Sequence, residues 1–242
     1  SAVVSYGDDL LKPDWNQVKK LKIGLPKEYF EGGLEKEVEK ALDAVSAFYR
    51  RNQFDIVEVS LPHTKHALSV YYIIMPAESS TNLARFDGVR YGLHKDGATG
   101  IEDYLETRGE GFGPEVRRRI ILGTYVLSAG YYDAYYNKAV AVREAIKADF
   151  RRVFEEVDAI ITPTAPTPAF RIGEKINDPL TMYLADIFTT PANIAGIPAL
   201  SVPSGLAEID VGKLPLGIQF MGRPLAEGTL FTIGKAFSGE EK

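Results

Sequence analysis

The sequence predicts a layered α/β fold, and three observations lead to it. Short apolar runs closed by Gly or Pro alternate with longer segments whose apolar residues step by three or four. Near the start, one helix-length segment lies between two such runs, which is the pattern of a βαβ unit. A second helix-then-strand pair follows from residue 132 onward.

The elements follow in order. "LKIGLP" (21–26) is a short apolar run ended by proline and predicts a buried strand. In "GLEKEVEKALDAVSAFYRR" the residues Leu34, Val38, Ala41, Leu42, Val45 and Tyr49 share one helical face, with Glu and Lys opposite. "FDIVEVSLP" (54–62) alternates as a strand, so parallel pairing with the first strand is expected. "LSVYYIIM" and "PEVRRRIILGTYVLSAGYY" predict helices, "RYGLHKDGATG" (90–100) a surface loop, and "GEGFGPE" (109–115) a turn into a helix with Pro114 in its first turn. From Tyr132 the positions Tyr135, Ala139, Val142, Ile146, Phe150, Val153 and Val157 keep helical spacing, and "DAIITPTAPTP" then predicts a strand running into a proline-rich loop. "NDPLTMYLADIF" begins a helix with Asp178 as N-cap and Pro179 at the first helical position. "TTPANIAG" predicts a further short helix, "ALSVP" and "PLGIQFMG" strands, and "AEGTLFTIGKAF" a closing helix. No repeat or low-complexity linker interrupts this order, and a single layered domain is expected.

Composition narrows the function. The absence of cysteine excludes disulfides, thiolate metal sites and a cysteine nucleophile. A net charge of −5 argues against a dedicated nucleic-acid surface, and the clusters at 117–119 and 151–152 are too short to reverse that. No apolar run approaches the ~20 residues of a membrane span, and the opening segment lacks the features of a signal peptide. A soluble protein is expected. The Ser-Ala-Val start without Met fits a processed terminus, an expression scar or an internal cut of a longer protein, with 1–20 expected as a lead-in and 21–242 as the folded part.

Catalytic motifs are scarce. His63 and His66 are three apart, a spacing a metal could use, but no acidic or histidine pair matches them, so these and His94 are expected at the surface. No phosphate-binding glycine motif is present, and neither "ESST" (78–81) nor "SVPSG" (201–205) forms a nucleophile turn. Two charged residues stand out. Asp186 is the lone charge in "MYLADIFTTPANIAGIPALSVP", and burying it unpaired would be costly. Helical projection puts Arg119 at the edge of the arc shared by Val116, Gly123 and Val126, while Arg117 and Arg118 point elsewhere. One reading makes Arg119 and Asp186 a structural ion pair. The other sets them in a cleft, where they would grip the α-carboxylate and α-ammonium of an amino acid, with Tyr71 or Tyr72 adding a hydroxyl. The residues alone leave both open.

The long segment from "RRRIILGTYVLSAGYYDAYYNKA" to "TPTAPTPAF", with "DPLTMYLADIFTTPANIAGIPALSVPSG", "PLGIQFMGRP", "LKIGLPKEYF" and "YYIIMPAESSTNLARFDGVRYG", resembles the amidase signature family. Within that family the resemblance is to the C-terminal half of the A-subunit branch of aspartyl/glutamyl-tRNA amidotransferases, from about Leu21 onward. It implies a layered mixed β-sheet flanked by helices. It also implies an enzyme that hydrolyses glutamine with a Ser–Ser–Lys triad and supplies ammonia to amidate Glu-tRNA(Gln) or Asp-tRNA(Asn). The triad motifs are absent from this chain, so no catalytic residue is expected here and the chain alone should be inactive. What the resemblance places here is glutamine recognition: Arg119 for the α-carboxylate, Asp186 for the α-ammonium and Tyr71 as a pocket wall. It further implies two partners, the B- and C-subunits of the amidotransferase, with ATP and Mg bound by a partner and tRNA contacted only through a partner. No metal in this chain and a cytoplasmic location complete the expectation. The alternatives are half of a stand-alone amidase acting on another amide, and a non-enzymatic module pairing with a separate catalytic half.

Overall fold

The computed structural model describes residues 20–30, 33–175, 179–209 and 212–238. Five strands form one mixed sheet in the order β2-β1-β3-β5-β4, where β1 is Lys22–Pro26, β2 Asp55–Val59, β3 Ala159–Pro163, β4 Ala199–Ile209 and β5 Gly212–Gly222. β1 pairs in parallel with β2 and with β3, and β5 runs antiparallel to β3 and β4. The parallel β1–β2 pair confirms the βαβ unit, and the mixed sheet matches the expected class.

The helices are α1 (Lys36–Arg51), α2 (Ala67–Asn82), α3 (Gly100–Gly111), α4 (Pro114–Val126), α5 (Lys138–Glu156), α6 (Pro179–Leu184), α7 (Thr190–Ala195) and α8 (Glu227–Ser238). The predicted inner face of α1 is buried from Val38 to Tyr49. Its residues Leu42, Val45, Phe48 and Tyr49 share a core with Leu230, Ile233 and Ala236 of α8 and with Ile161, Ile218 and Phe220 of the sheet. The Tyr49 hydroxyl donates to the Ile233 carbonyl at 2.8 Å, so the ring is buried without leaving its polar end unpaired. Burial of that ring pushes the phenol pKa far up.

A single layered domain was expected, whereas the contacts divide the chain into two compact units. One contains the sheet and comprises the described residues up to Leu68 and from Arg143 onward; the other is helical and runs from Ser69 to Val142. Sequence reading missed α3. Thr99 caps it, its hydroxyl accepting from the Glu102 N–H at 3.3 Å, while the Glu102 carboxylate accepts from the Ala98 N–H at 2.7 Å. The T-x-x-E spacing of a capping box was the available signal. Ahead of α5, residues Tyr132–Asn137 form a π-helical segment, and the exposed Tyr132 and Tyr135 depart from the buried stripe their spacing suggested. The Asp178 cap falls outside the described residues.

Among the described residues the buried carboxylate of the sheet unit is Asp149 on α5, at 3% side-chain exposure. Its Oδ2 accepts from the His63 backbone N–H and from the His63 ring Nδ1, each at 2.9 Å. An ionised carboxylate only accepts, so Nδ1 carries the ring proton. The more exposed Arg152 adds an ion pair at 3.3 Å. Asp149→Ala is expected to cost about 2 kcal/mol, chiefly because the His63 N–H loses its acceptor. Asp149→Asn, which keeps an acceptor, is expected to cost less. Urea unfolding followed by circular dichroism checks the order, and equal midpoints for the wild type and the alanine variant would refute it.

Among the described residues no helix is long and apolar enough to cross a membrane.

Candidate functional site

The helical unit brings two of the three predicted site residues together. Pro114 starts α4 at a position where a missing N–H costs nothing, and this sets the helical phase of the arginines that follow. Arg119 then turns inward, at 28% side-chain exposure, against 49% for Arg118. Its Nε donates to Glu115 Oε1 at 2.8 Å, one turn back on the same helix. Its Nη1 points at the thioether of Met75 on α2 at 3.4 Å. The hydroxyl of Tyr71, one turn before Met75, also interacts with the guanidinium. Burial works against the arginine's charge and is the largest single influence. Glu115 and Tyr71 together outweigh it and hold the pKa above the ordinary arginine value.

α2 and α4 come close because both carry unusual residues where they meet. Gly123, one turn beyond Arg119, is buried, and a Cβ built there would lie 1.9 Å from the Pro76 carbonyl oxygen. Pro76 lies inside α2, directly after Met75. The same close approach therefore sets Met75 and Tyr71 against Arg119. The Tyr71 and Tyr72 rings pack edge to face, with centroids 5.1 Å apart.

Asp186 belongs to the sheet unit, and there the helix predicted to carry it stops early. α6 ends at Leu184, and Asp186 lies in the turn between α6 and α7, exposed to solvent. Water answers the cost of its charge, and among the described residues no cation pairs with its carboxylate. Its backbone is held firmly: its carbonyl accepts from the Thr190 N–H at 3.0 Å and from the Thr190 hydroxyl at 2.7 Å. Two residues on, Phe188 is buried and stacks on Tyr29 with centroids 5.2 Å apart. The Phe188 carbonyl accepts from the side-chain amide of Gln219 at 2.9 Å. A cavity of about 700 Å³ borders this turn, lined in part by Leu184, Ile187, Phe188, Tyr29 and Pro166.

The histidines are at the surface as expected: His63 and His66 are exposed, and His94 pairs with Asp96 at 3.1 Å. Sequence reading missed Glu115, Gln219 and the Gly123–Pro76 contact. Glu115 was detectable as an acid four residues before Arg119 on one helix. Gln219 was detectable as the one polar side chain in "GIQFMG".

Together these features define an α/β protein whose sheet ladder includes both parallel and antiparallel pairs and whose chain carries a helical insertion. The chain belongs to the amidase family, whose model matches residues 3–231. It is 58% identical over 220 residues to the A-subunit of glutamyl-tRNA(Gln) amidotransferase from Chloroflexus aggregans, covering 91% of this chain and 44% of that protein. It is 54% identical over 230 residues to the protein of the same name from Geobacter metallireducens, covering 95% and 47%. The crystal structure of the Thermotoga maritima protein of that name superposes with a TM-score of 0.70 at 38% identity, covering 98% of this chain and 45% of the other. The chain thus spans a little under half the length of these relatives and matches their C-terminal half.

Proposed function

We propose that this chain supplies the glutamine-recognition side of a glutamine-dependent tRNA amidotransferase. The observation that carries the reading is the half-buried Arg119, gripped at Nε by Glu115 and facing Tyr71 and Met75. A thioether is a weak acceptor, so a substrate carboxylate arriving at the Nη edge gains more than the sulfur gives up. Asp186, exposed and fixed by its backbone, is suited to an ammonium. Tyr71 adds a hydroxyl beside the arginine. In this reading Arg119 takes the α-carboxylate of glutamine and Asp186 its α-ammonium.

Hydrolysis of the side-chain amide is assigned to a Ser–Ser–Lys triad outside this chain, and ATP-dependent activation of the tRNA-linked acid to a partner protein. The relatives' shared name supports glutamyl-tRNA(Gln) as the final acceptor of the ammonia. The chain alone is expected to turn over no glutamine, and turnover above a blank would overturn that assignment.

Isothermal titration of L-glutamine into the chain, with Arg119→Ala and Asp186→Ala in parallel, tests the clamp. Each variant is expected to weaken binding by about tenfold, the equivalent of one lost charge-assisted contact. A folded chain that binds no glutamine, or variants that bind as tightly as the wild type, would reject it.

A further inference from the structure

An arginine on an exposed helix samples many rotamers, and ordering it for a ligand costs roughly 1–2 kcal/mol of side-chain entropy. Arg119 is already ordered. Glu115 sits in the first turn of α4, where a helix favours negative charge, and it precedes Arg119 by four residues, the better order for such a pair. Its Oε1 takes the Nε–H at 2.8 Å, while Oε2 binds Arg118. Because the guanidinium is planar and its donors are rigidly arranged, fixing Nε fixes the plane of the whole group. The edge that remains, bearing Nη1 and Nη2, has the fork geometry for a carboxylate. Nη1 already points to Met75 at 3.4 Å, on the side where Tyr71 also contributes.

We propose that Glu115 is a positioning residue, which holds the Arg119 guanidinium by Nε so that its Nη edge is presented to the α-carboxylate of the bound amino acid. The inference rests on the reading of Arg119 as the carboxylate holder. It makes a prediction opposite in sign to that of simple electrostatics. A carboxylate beside Arg119 partly neutralises it and should repel an incoming anion, so if charge were all that mattered, deleting Glu115 would tighten binding. If position matters, deleting it weakens binding. A plain surface ion pair would do neither, since such pairs contribute little beyond local helix stability.

The test is titration of L-glutamine and of its α-amide, which lacks the carboxylate, into the chain and its Glu115→Ala, Glu115→Gln and Arg119→Ala variants. Glu115→Ala is expected to weaken L-glutamine binding by about tenfold and leave α-amide binding unchanged. Glu115→Gln keeps an acceptor for Nε and is expected to restore affinity to within about twofold of the wild type. Tighter or unchanged binding by Glu115→Ala, or no rescue by glutamine, overturns the positioning role while the clamp stands. An unaffected Arg119→Ala, or a folded wild type that gives no heat, overturns the clamp and the positioning role with it. A second readout needs no ligand. The Arg119 Nε–H should give a distinct, slowly exchanging ¹H–¹⁵N resonance in the wild type and in Glu115→Gln, lost in Glu115→Ala. The same resonance in all three proteins would overturn the proposal.

Discussion

Gly123→Ala is expected to destabilise the protein by about 3 kcal/mol or more, among the larger effects of a single added methyl group. The new Cβ would lie 1.9 Å from the Pro76 carbonyl oxygen, 2.4 Å from its carbon and 2.9 Å from Ser80 Cβ. The first two are backbone atoms, which no rotamer change can move, so α2 and α4 must separate. Pro76 limits how α2 can respond, because a proline inside a helix lacks the donor N–H and crowds the preceding turn. Arg119 lies one turn from the substitution, so the displacement also pulls it away from Met75 and Tyr71. Thermal unfolding followed by circular dichroism measures the loss. A midpoint within about 1 °C of the wild type would show that the helices do not meet at this glycine.

Gln219→Leu should cost about 2–3 kcal/mol and loosen the turn that carries Asp186. Gln219 lies opposite Thr162 in the β3–β5 ladder, and its amide donates both to Thr162 Oγ1 at 3.1 Å and to the Phe188 carbonyl at 2.9 Å. Leucine matches its size but leaves both buried acceptors without that donor. The Phe188 carbonyl is the more serious loss, because it anchors the loop two residues after Asp186. Hydrogen exchange should therefore rise at residues 186–190 while β3 and β5 stay protected. Uniform exchange across the whole protein would point to a general loss of stability instead.

Much of this arrangement is legible in the sequence, and the gaps have physical reasons. The inner face of α1, the β1–β2 pair and the inward lean of Arg119 follow from periodicity, because each depends on local spacing. The helix that "NDPLTMYLADIF" predicts through Asp186 ends at Leu184. Six residues of α6 make less than two full turns, and tertiary contacts of Phe188 decide where the chain leaves the helix. Asp186 stays wet, and the carboxylate that is buried is that of Asp149. Asp149 falls on the inner arc with Ile146, Phe150 and Val153, and its partner His63 lies 86 residues earlier, beyond the reach of local spacing. The division into two units was likewise invisible, since α5 runs continuously across the boundary at Arg143.

The position of β1 between β2 and β3 has a consequence on the ribosome. One side of β1 can pair as soon as β2 has been made, but the other waits for β3, whose approach is marked by the bond from the Lys22 N–H to the Asp158 carboxylate, 136 residues away. The whole helical insertion must be translated in between. At about 5–20 residues per second, the roughly 100 residues between β2 and β3 leave an apolar strand half-paired for about 5–20 s. Nascent chains stalled between residues 70 and 150 are accordingly the ones most in need of chaperone cover, and an insertion that lengthened the helical unit would extend that exposure without touching the finished fold.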